Sequence, residues 1–159
     1  MCIRDRHSSL ALRLFDNLRE QYGKKPLLFE GVEEVLKILN VKYKLGLVSN
    51  GRTDVQHAKI RNSGIKKYFS AICISESIGS KKPDPEIFLS CLGGLSVNAD
   101  EAVFVGDNPV ADIQPALALG MEAVWVENQN FPESCHACKR IRHLPELLSI
   151  VESLNQTKS

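Results

Sequence analysis

The sequence lacks the features that would assign it at once to a membrane or nucleic-acid-binding class. No apolar run approaches the length of a membrane-spanning helix. Neither sign of charge dominates, because 20 basic and 19 acidic residues are interspersed and give a formal net charge of +1. That balance argues against a nucleic acid or an anionic membrane as partner and favours a small, soluble one.

The number and spacing of the cysteines do not match a disulfide framework. The five cysteines form an odd set without the spacing of a stapled secreted domain, and they are Cys2, Cys73, Cys91, Cys135 and Cys138. We therefore expect a reducing, cytoplasmic setting. With 159 residues and 43% apolar content, the chain is long enough for one domain with a buried core.

The hydrophobic pattern alternates between a helical and a strand-like period. Helical patterns occupy residues 11–22, 32–39, 53–62, 84–92, 113–120 and 144–154. Apolar strand candidates lie between them, at residues 45–48, 71–74, 102–105 and 123–126. Strands that are nearly all apolar are buried on both faces, and short helices between them imply crossover connections. The sequence therefore predicts an α/β fold with a doubly wound, Rossmann-like parallel sheet and helices on both faces.

Polar residues follow two of the predicted strands. Ser49 and Asp107 are each the first polar side chain after an apolar run, and sheets of this kind bind ligands at the carboxyl ends of their strands. A Lys-Pro-Asp-Pro segment that starts at Lys82 lies between them in the sequence, and a second acid, Asp112, follows Asp107. An apolar strand that leads into an acidic loop indicates a cation site.

Three segments resemble the second, third and fourth motifs of the haloacid dehalogenase-like (HAD) hydrolase superfamily: Ser49-Asn50-Gly51, Lys-Pro-Asp-Pro-Glu-Ile-Phe at 82–88, and Gly106-Asp107 to Asp112. The resemblance covers roughly residues 31–127, and the order and spacing of the motifs carry it. In that family an aspartate attacks phosphorus and forms a phosphoaspartyl intermediate. The resemblance therefore implies a Mg²⁺-dependent phosphate monoester hydrolase of the capped phosphatase branch, acting on a small phosphorylated metabolite.

The resemblance also implies which residues bind the phosphate. The Ser49 hydroxyl and the backbone amides of Asn50 and Gly51 would hold phosphoryl oxygens, although a serine at a strand end is otherwise commonly a cap. Lys82 would pair with the nucleophile and with the phosphoryl group. Lys81 is the competitor, but the family pattern places the lysine directly before Pro-Asp-Pro. The alternative is two solvated lysines in a turn.

Asp107 and Asp112 are the metal-site residues that the resemblance implies. Asp107 would bind Mg²⁺ directly, and Asp112 would either ligate it through water or orient Asp107 and the lysine. Asp112 is also a candidate N-cap of the following helix, and the two roles are compatible. Two acids at these positions favour a Mg²⁺-dependent phosphatase over a metal-free dehalogenase.

The first motif of the family, an Asp-x-Asp at the end of an apolar strand, is missing. Only Asp5 and Asp16 precede Ser49, and neither follows a strand or has an aspartate two positions later. We therefore expect residues 1–6 to be a leader resembling translated adapter sequence, residues 7–30 the remnant of a helical cap, and residues 31–155 a core without its first strand. Such a fragment is expected to be inactive and poorly stable alone, because it lacks the nucleophile and exposes strand edges.

Alternatives remain for both the whole chain and one short segment. A chain with this scaffold and no nucleophile would be a non-catalytic module that binds phosphate and Mg²⁺. A receiver-type phosphoacceptor domain is a more distant alternative, because the Lys-Pro-Asp-Pro segment and the paired acids count against it.

Cys135 and Cys138 have the spacing of a redox pair or half a zinc site, but no second pair completes four ligands, so two ordinary loop thiols are favoured. Substrate identity and oligomeric state stay open.

Overall fold

The computed structural model describes residues 28, 30–131 and 138–157 of the chain. The predicted leader and nearly all of the predicted cap remnant lie outside the described residues, as does Cys135. The described part therefore corresponds to the predicted core.

Helices and strands alternate along the described chain. The helices are α1 (Val32–Lys42), α2 (Thr53–Asn62), α3 (Ser75–Ile78), α4 (Pro85–Leu95), α5 (Gln114–Ala118) and α6 (Leu147–Thr157). The strands are β1 (Gly46–Ser49), β2 (Ala71–Ile74), β3 (Val103–Gly106), β4 (Glu122–Val126) and β5 (Lys139–Ile141). Single turns of 3₁₀ helix cover Ile65–Tyr68, Ala99–Glu101 and Leu144–Glu146, and a π turn covers Pro109–Ile113.

All the strand pairs are parallel. Strand β1 pairs with β2, and β3, β4 and β5 pair in that order. Helix α2 lies between the parallel strands β1 and β2, and α5 lies between β3 and β4. The predicted α/β fold with parallel strands is confirmed. The described strands form two hydrogen-bonded groups, of two and of three strands.

Helices cover both faces of the strands. Along β4, Ala123 and Trp125 pack into one hydrophobic cluster and Val124 packs into another, because successive side chains of a strand point to opposite faces. Helix α4 contributes to the first cluster, while α1 and α6 contribute to the second. This two-faced packing is the doubly wound arrangement.

Strands β1 and β3 border the same cavity. Gly46 and Val48 of β1, together with Val103 and Phe104 of β3, line a cavity of about 60 Å³. The facing edges of β1 and β3 have no strand partner among the described residues. Strand β3 is half-buried along its length although it is apolar, whereas the three central residues of β4 are buried. The two groups of strands are therefore joined by side-chain packing, and we call this boundary the seam.

The start of the segment after Asp107 differs from the prediction. Asn108 is its N-cap, because Asn108 Oδ1 accepts hydrogen bonds from the backbone nitrogens of Val110 at 3.0 Å and Ala111 at 2.9 Å. The alternative interpretation of Asp112 as the N-cap of the following helix does not hold, because Ile113 occupies that position before α5. Asp112 lies within the π turn instead and is buried.

Two further findings concern the cysteines and the membrane. Cys138 takes part in a disulfide bond, whereas the sequence favoured an ordinary thiol. Cys73 and Cys91 are free and buried. Every helix in the described ranges is too short or too polar to cross a membrane.

Candidate functional site

Asn50 fixes the lysine segment against the end of β1. The Lys82 backbone nitrogen donates to Asn50 Oδ1 at 2.8 Å, and Asn50 Nδ2 donates to the Lys82 carbonyl at 3.0 Å. This reciprocal pair satisfies both ends of the side-chain amide and sets its orientation. These two hydrogen bonds therefore hold the backbone of Lys82 against the loop after β1.

The side chain of Lys82 crosses to the loop after β3. Its Nζ donates to Asp112 Oδ1 at 2.6 Å, and the two side chains are only 16% and 4% exposed. The other carboxylate oxygen, Asp112 Oδ2, accepts from the Asn108 backbone nitrogen at 3.1 Å. Charge-assisted hydrogen bonds are the strong ones, and burial reduces the screening of this pair. Lys81, by contrast, is exposed.

These contacts form a continuous chain of hydrogen bonds from Asn50 through Lys82 and Asp112 to Asn108. The chain joins the carboxyl end of β1 to the carboxyl end of β3. Ser49 directly precedes Asn50 and Asp107 directly precedes Asn108. The structure thus connects the loops that carry all the residues predicted to form the site.

Gly51 is exposed but is tied to the start of α3. Its φ of +144° is a conformation that other residues rarely adopt, and a Cβ there would lie 2.7 Å from Gln56 Nε2. The Gly51 nitrogen donates to Ser75 Oγ at 2.9 Å, and Ser75 Oγ lies 3.3 Å from the Gly51 carbonyl, to which it donates. The amide of Gly51, which the sequence assigned to phosphate, is therefore already engaged by Ser75.

Asp107 presents a carboxylate that has no hydrogen-bond or ion-pair partner in the described part of the chain. It is exposed, and its side chain makes no hydrogen bond or ion pair with the described residues. Mg²⁺ is usually bound by one or two carboxylates and keeps several waters. No group of three or more His, Cys, Asp or Glu side chains suited to a metal occurs within the described ranges. Among the described residues, the Asp107 carboxylate is therefore open to an outside ligand such as a cation, while Asp112 is occupied by Lys82 and Asn108.

The sequence reasoning missed three polar residues of this region. Ser75 directly follows β2, so the same rule of polar residues at carboxyl ends would have found it, whereas Asn128 comes after Glu127 beyond β4 and is not the first polar residue there. Asn128 Nδ2 donates to the Asp107 carbonyl at 2.7 Å. Asn108 stands directly before Pro109, which is a sequence signature of a helix start.

Fold and site together define a doubly wound α/β protein with a polar cluster at the carboxyl ends of its strands. The chain matches the family "Haloacid dehalogenase-like hydrolase" over residues 5–126. It belongs to that family.

Relatives with assigned functions are similar over part of their length. A glyceraldehyde 3-phosphate phosphatase of Pyrococcus abyssi is 32% identical over 146 residues, which is 89% of this chain and 58% of the relative. A phosphoserine phosphatase of Thermus thermophilus is 39% identical over 98 residues, which is 62% of this chain and 39% of the relative. The chain thus spans less than two thirds of the length of either.

Solved structures give the same picture of the fold. The crystal structure of a HAD phosphatase from Thermococcus onnurineus superposes with a TM-score of 0.78 at 33% identity. The superposition covers 89% of this chain and 69% of that one.

Proposed function

We propose that this chain is the phosphate- and metal-binding part of a Mg²⁺-dependent phosphate monoester hydrolase that acts through a phosphoaspartyl intermediate. The observation that most supports this is the hydrogen-bonded chain from Asn50 through Lys82 to Asp112. It holds an ammonium group between two strand ends, where the negative charge of a phosphoryl group can be met. The two curated relatives named above are phosphatases.

In this proposal the residues after β1 and Lys82 bind the phosphoryl group. The Ser49 hydroxyl and the Asn50 backbone amide donate to its oxygens. Gly51 joins them only if its amide leaves Ser75. Lys82 supplies a point charge beside the same oxygens, and fixed donors of this kind stabilise charge that develops in the transition state.

Asp107 is the proposed metal residue, and Asp112 is proposed to orient Lys82. Both Asp112 oxygens already accept hydrogen bonds, from Lys82 and Asn108, so the orienting role suits Asp112 better than ligation of the ion through water. When bound, Mg²⁺ would neutralise charge on the phosphoryl oxygens.

The nucleophile is proposed to come from an Asp-x-Asp segment on a strand that pairs between β1 and β3. Among the described residues, Asp107 is the only aspartate that directly follows a strand. The unpartnered edges of β1 and β3 line one cavity, and a strand there would satisfy both. Without that segment, we expect the chain to be inactive alone.

The proposed substrate is a small phosphorylated metabolite. The names of the two curated relatives specify phosphoserine and glyceraldehyde 3-phosphate, which are both small phosphate monoesters. We also propose a cytoplasmic location, because the thiols of Cys73 and Cys91 hydrogen-bond to each other and are not linked. The disulfide bond of Cys138 argues against a cytoplasmic location, because disulfides are rare in a reducing compartment.

A second candidate is a non-catalytic module that binds phosphate and Mg²⁺. It is favoured by one observation: Ser49 and Asp107 stand at strand ends and Lys82 is bonded to both loops, while no nucleophile accompanies them in the described part of the chain.

Hydrolysis of p-nitrophenyl phosphate in Mg²⁺ distinguishes the two candidates. The 159-residue chain is compared with a version extended upstream from its source DNA, each also made with Asp107→Asn. The hydrolase predicts activity in the extended protein alone, abolished by Asp107→Asn. If both versions fold, by circular dichroism, and both are inactive, the hydrolase is excluded. Phosphate binding measured by calorimetry would then support the module.

A further inference from the structure

Two side chains converge on the backbone carbonyl of Asp107. Trp125 Nε1 donates to this oxygen at 3.1 Å and Asn128 Nδ2 donates to it at 2.7 Å. A carbonyl oxygen has two lone pairs, so both of its acceptor positions are used. The donors come from β4 and from the residues just beyond it, and they are distant in sequence from the carbonyl that they bind.

Each donor is held by contacts that do not involve Asp107. Asn128 Oδ1 accepts from the Asn130 backbone nitrogen at 2.9 Å, which turns the NH₂ group of the same amide toward Asp107. Trp125 is 2% exposed and stands opposite Gly106 in the β3–β4 register. The two donors therefore occupy fixed positions at the end of β3.

The carbonyl that they bind belongs to the peptide unit that joins Asp107 to Asn108. On its other side, the N–H of this unit donates to Asp112 Oδ2 at 3.1 Å. A peptide unit is planar, so donors at one end and an acceptor at the other fix its orientation. The orientation sets ψ of Asp107 and thereby the direction of its side chain relative to the loop.

We propose that Asn128 and Trp125 are positioning residues that aim the Asp107 carboxylate at a divalent cation. This inference rests on the proposed function, in which Asp107 binds Mg²⁺. The carboxylate itself makes no hydrogen bond or ion pair with other described residues, so the fixed peptide unit is what sets the direction in which the Asp107 side chain leaves the backbone. Removing groups that orient a metal ligand commonly lowers metal affinity by about 10- to 100-fold.

Asn128 is the residue to change, because it is half-buried in a loop whereas Trp125 belongs to the core. Trp125 is the one tryptophan of the chain, and its indole nitrogen contacts Asp107, so its fluorescence reports on the site without a label. Mn²⁺ is the probe, since it takes the oxygen ligands that Mg²⁺ takes and quenches a nearby fluorophore.

The experiment titrates the full 159-residue chain with Mn²⁺ and follows Trp125 fluorescence. Asn128→Ala is compared with wild type and with Asn130→Ala, a matched control that keeps the backbone nitrogen used by Asn128. We expect the Kd to rise about tenfold in Asn128→Ala and to change by less than about twofold in Asn130→Ala. Asp107→Asn is expected to abolish saturable quenching.

The outcomes separate the positioning role from the proposed function. A wild-type Kd in Asn128→Ala overturns the positioning role and leaves the metal role of Asp107 standing. No saturable quenching in wild type, or unchanged quenching in Asp107→Asn, overturns both. If Asn128→Ala melts at a lower temperature, the titration is repeated below its melting transition, and the NMR resonance of the Trp125 indole N–H is recorded to check that the variant is folded. Weaker Mn²⁺ binding by a variant with a native spectrum supports the proposal. Binding with the wild-type Kd overturns it.

Discussion

Lys82 contacts both loops of the site, through its backbone to Asn50 and through Nζ to Asp112. The sequence pattern selected Lys82 over Lys81, because only Lys82 directly precedes Pro-Asp-Pro. The sequence could not choose between the roles of Asp112. That choice depends on tertiary packing, which brings the lysine segment against the π turn.

Removing the Lys82 charge should destabilise the fold. In Lys82→Met, the buried Asp112 carboxylate loses its counter-ion, and loss of one partner from a buried pair costs about 3 kcal/mol or more. Lys81→Met removes the same charge from an exposed position and should change the free energy of unfolding by less than about 0.5 kcal/mol. Urea denaturation of both variants measures the difference. Equal stabilities would show that the Lys82–Asp112 pair contributes nothing.

For Trp125, the sequence predicted the burial of the side chain but not its hydrogen bond. It was predicted to be strand core and is 2% exposed. Its hydrogen bond to the Asp107 carbonyl was not predicted, because that contact requires the register that sets Gly106 opposite Trp125. Register depends on how two strands pair, so the hydrophobic pattern of one strand cannot predict it.

At the scale of elements, the turn from β3 into the π turn is the most crowded part of the site. A Cβ on Gly106 would lie 2.5 Å from Asp112 Cβ and 2.6 Å from Asp112 Oδ2. The Cβ of Asp112 is attached directly to the backbone and cannot rotate away. A residue without a side chain is therefore required at Gly106 for Asp112 to reach Lys82.

Two glycine substitutions should have opposite effects. Gly106→Ala is expected to lower the free energy of unfolding by about 1–3 kcal/mol, as overpacking does. Gly93→Ala, in the last turn of α4 with no atom outside the helix backbone within 4 Å of the new Cβ, should raise it by up to about 0.5–1 kcal/mol, because alanine favours helix. Urea unfolding tests both. A Gly106→Ala variant as stable as wild type would mean that Asp112 can move without cost.

The predicted elements were those with strong apolar patterns. Strands β1 to β4 lie where apolar runs indicated them, within a residue or two. Strand β5 was not predicted, since two of its three residues, Lys139 and Arg140, are basic and it pairs on one side only. The π turn was also not predicted, because Pro109 and Asp112 fit an ordinary helix start equally well.

At the scale of the whole molecule, a buried thiol pair lies beside β1, with Cys91 close to Gly46 at its start. Cys91 is 5% exposed and Cys73 is 6% exposed, within the same cluster. Burial, with the neighbouring Cys73, raises the pKa of the Cys91 thiol to about 12 from its ordinary 9.0. Burial also raises the pKa of the Cys73 thiol.

Stability should therefore fall at alkaline pH. The unfolded chain loses the Cys91 proton near pH 9.0, whereas the folded chain keeps it until about 12, so the stabilisation is complete below 9.0 and is lost as pH rises through this window. Urea unfolding from pH about 8 to about 11 should give a steeper decline in wild type than in Cys91→Ala. Titrating groups outside the Cys73–Cys91 pair are common to both proteins and cancel in the comparison. Parallel curves would contradict the prediction.

The seam between β1 and β3 also determines how the site responds to force. Asn50 follows β1 on one side of it, while Asp107 and Asp112 follow β3 on the other. Sliding one group of strands past the other must stretch the bond between Lys82 and Asp112. A phosphate ester bound between Ser49 and Asp107 would oppose the same displacement. Binding of the ester would therefore raise the force that is needed to slide the two groups of strands past each other.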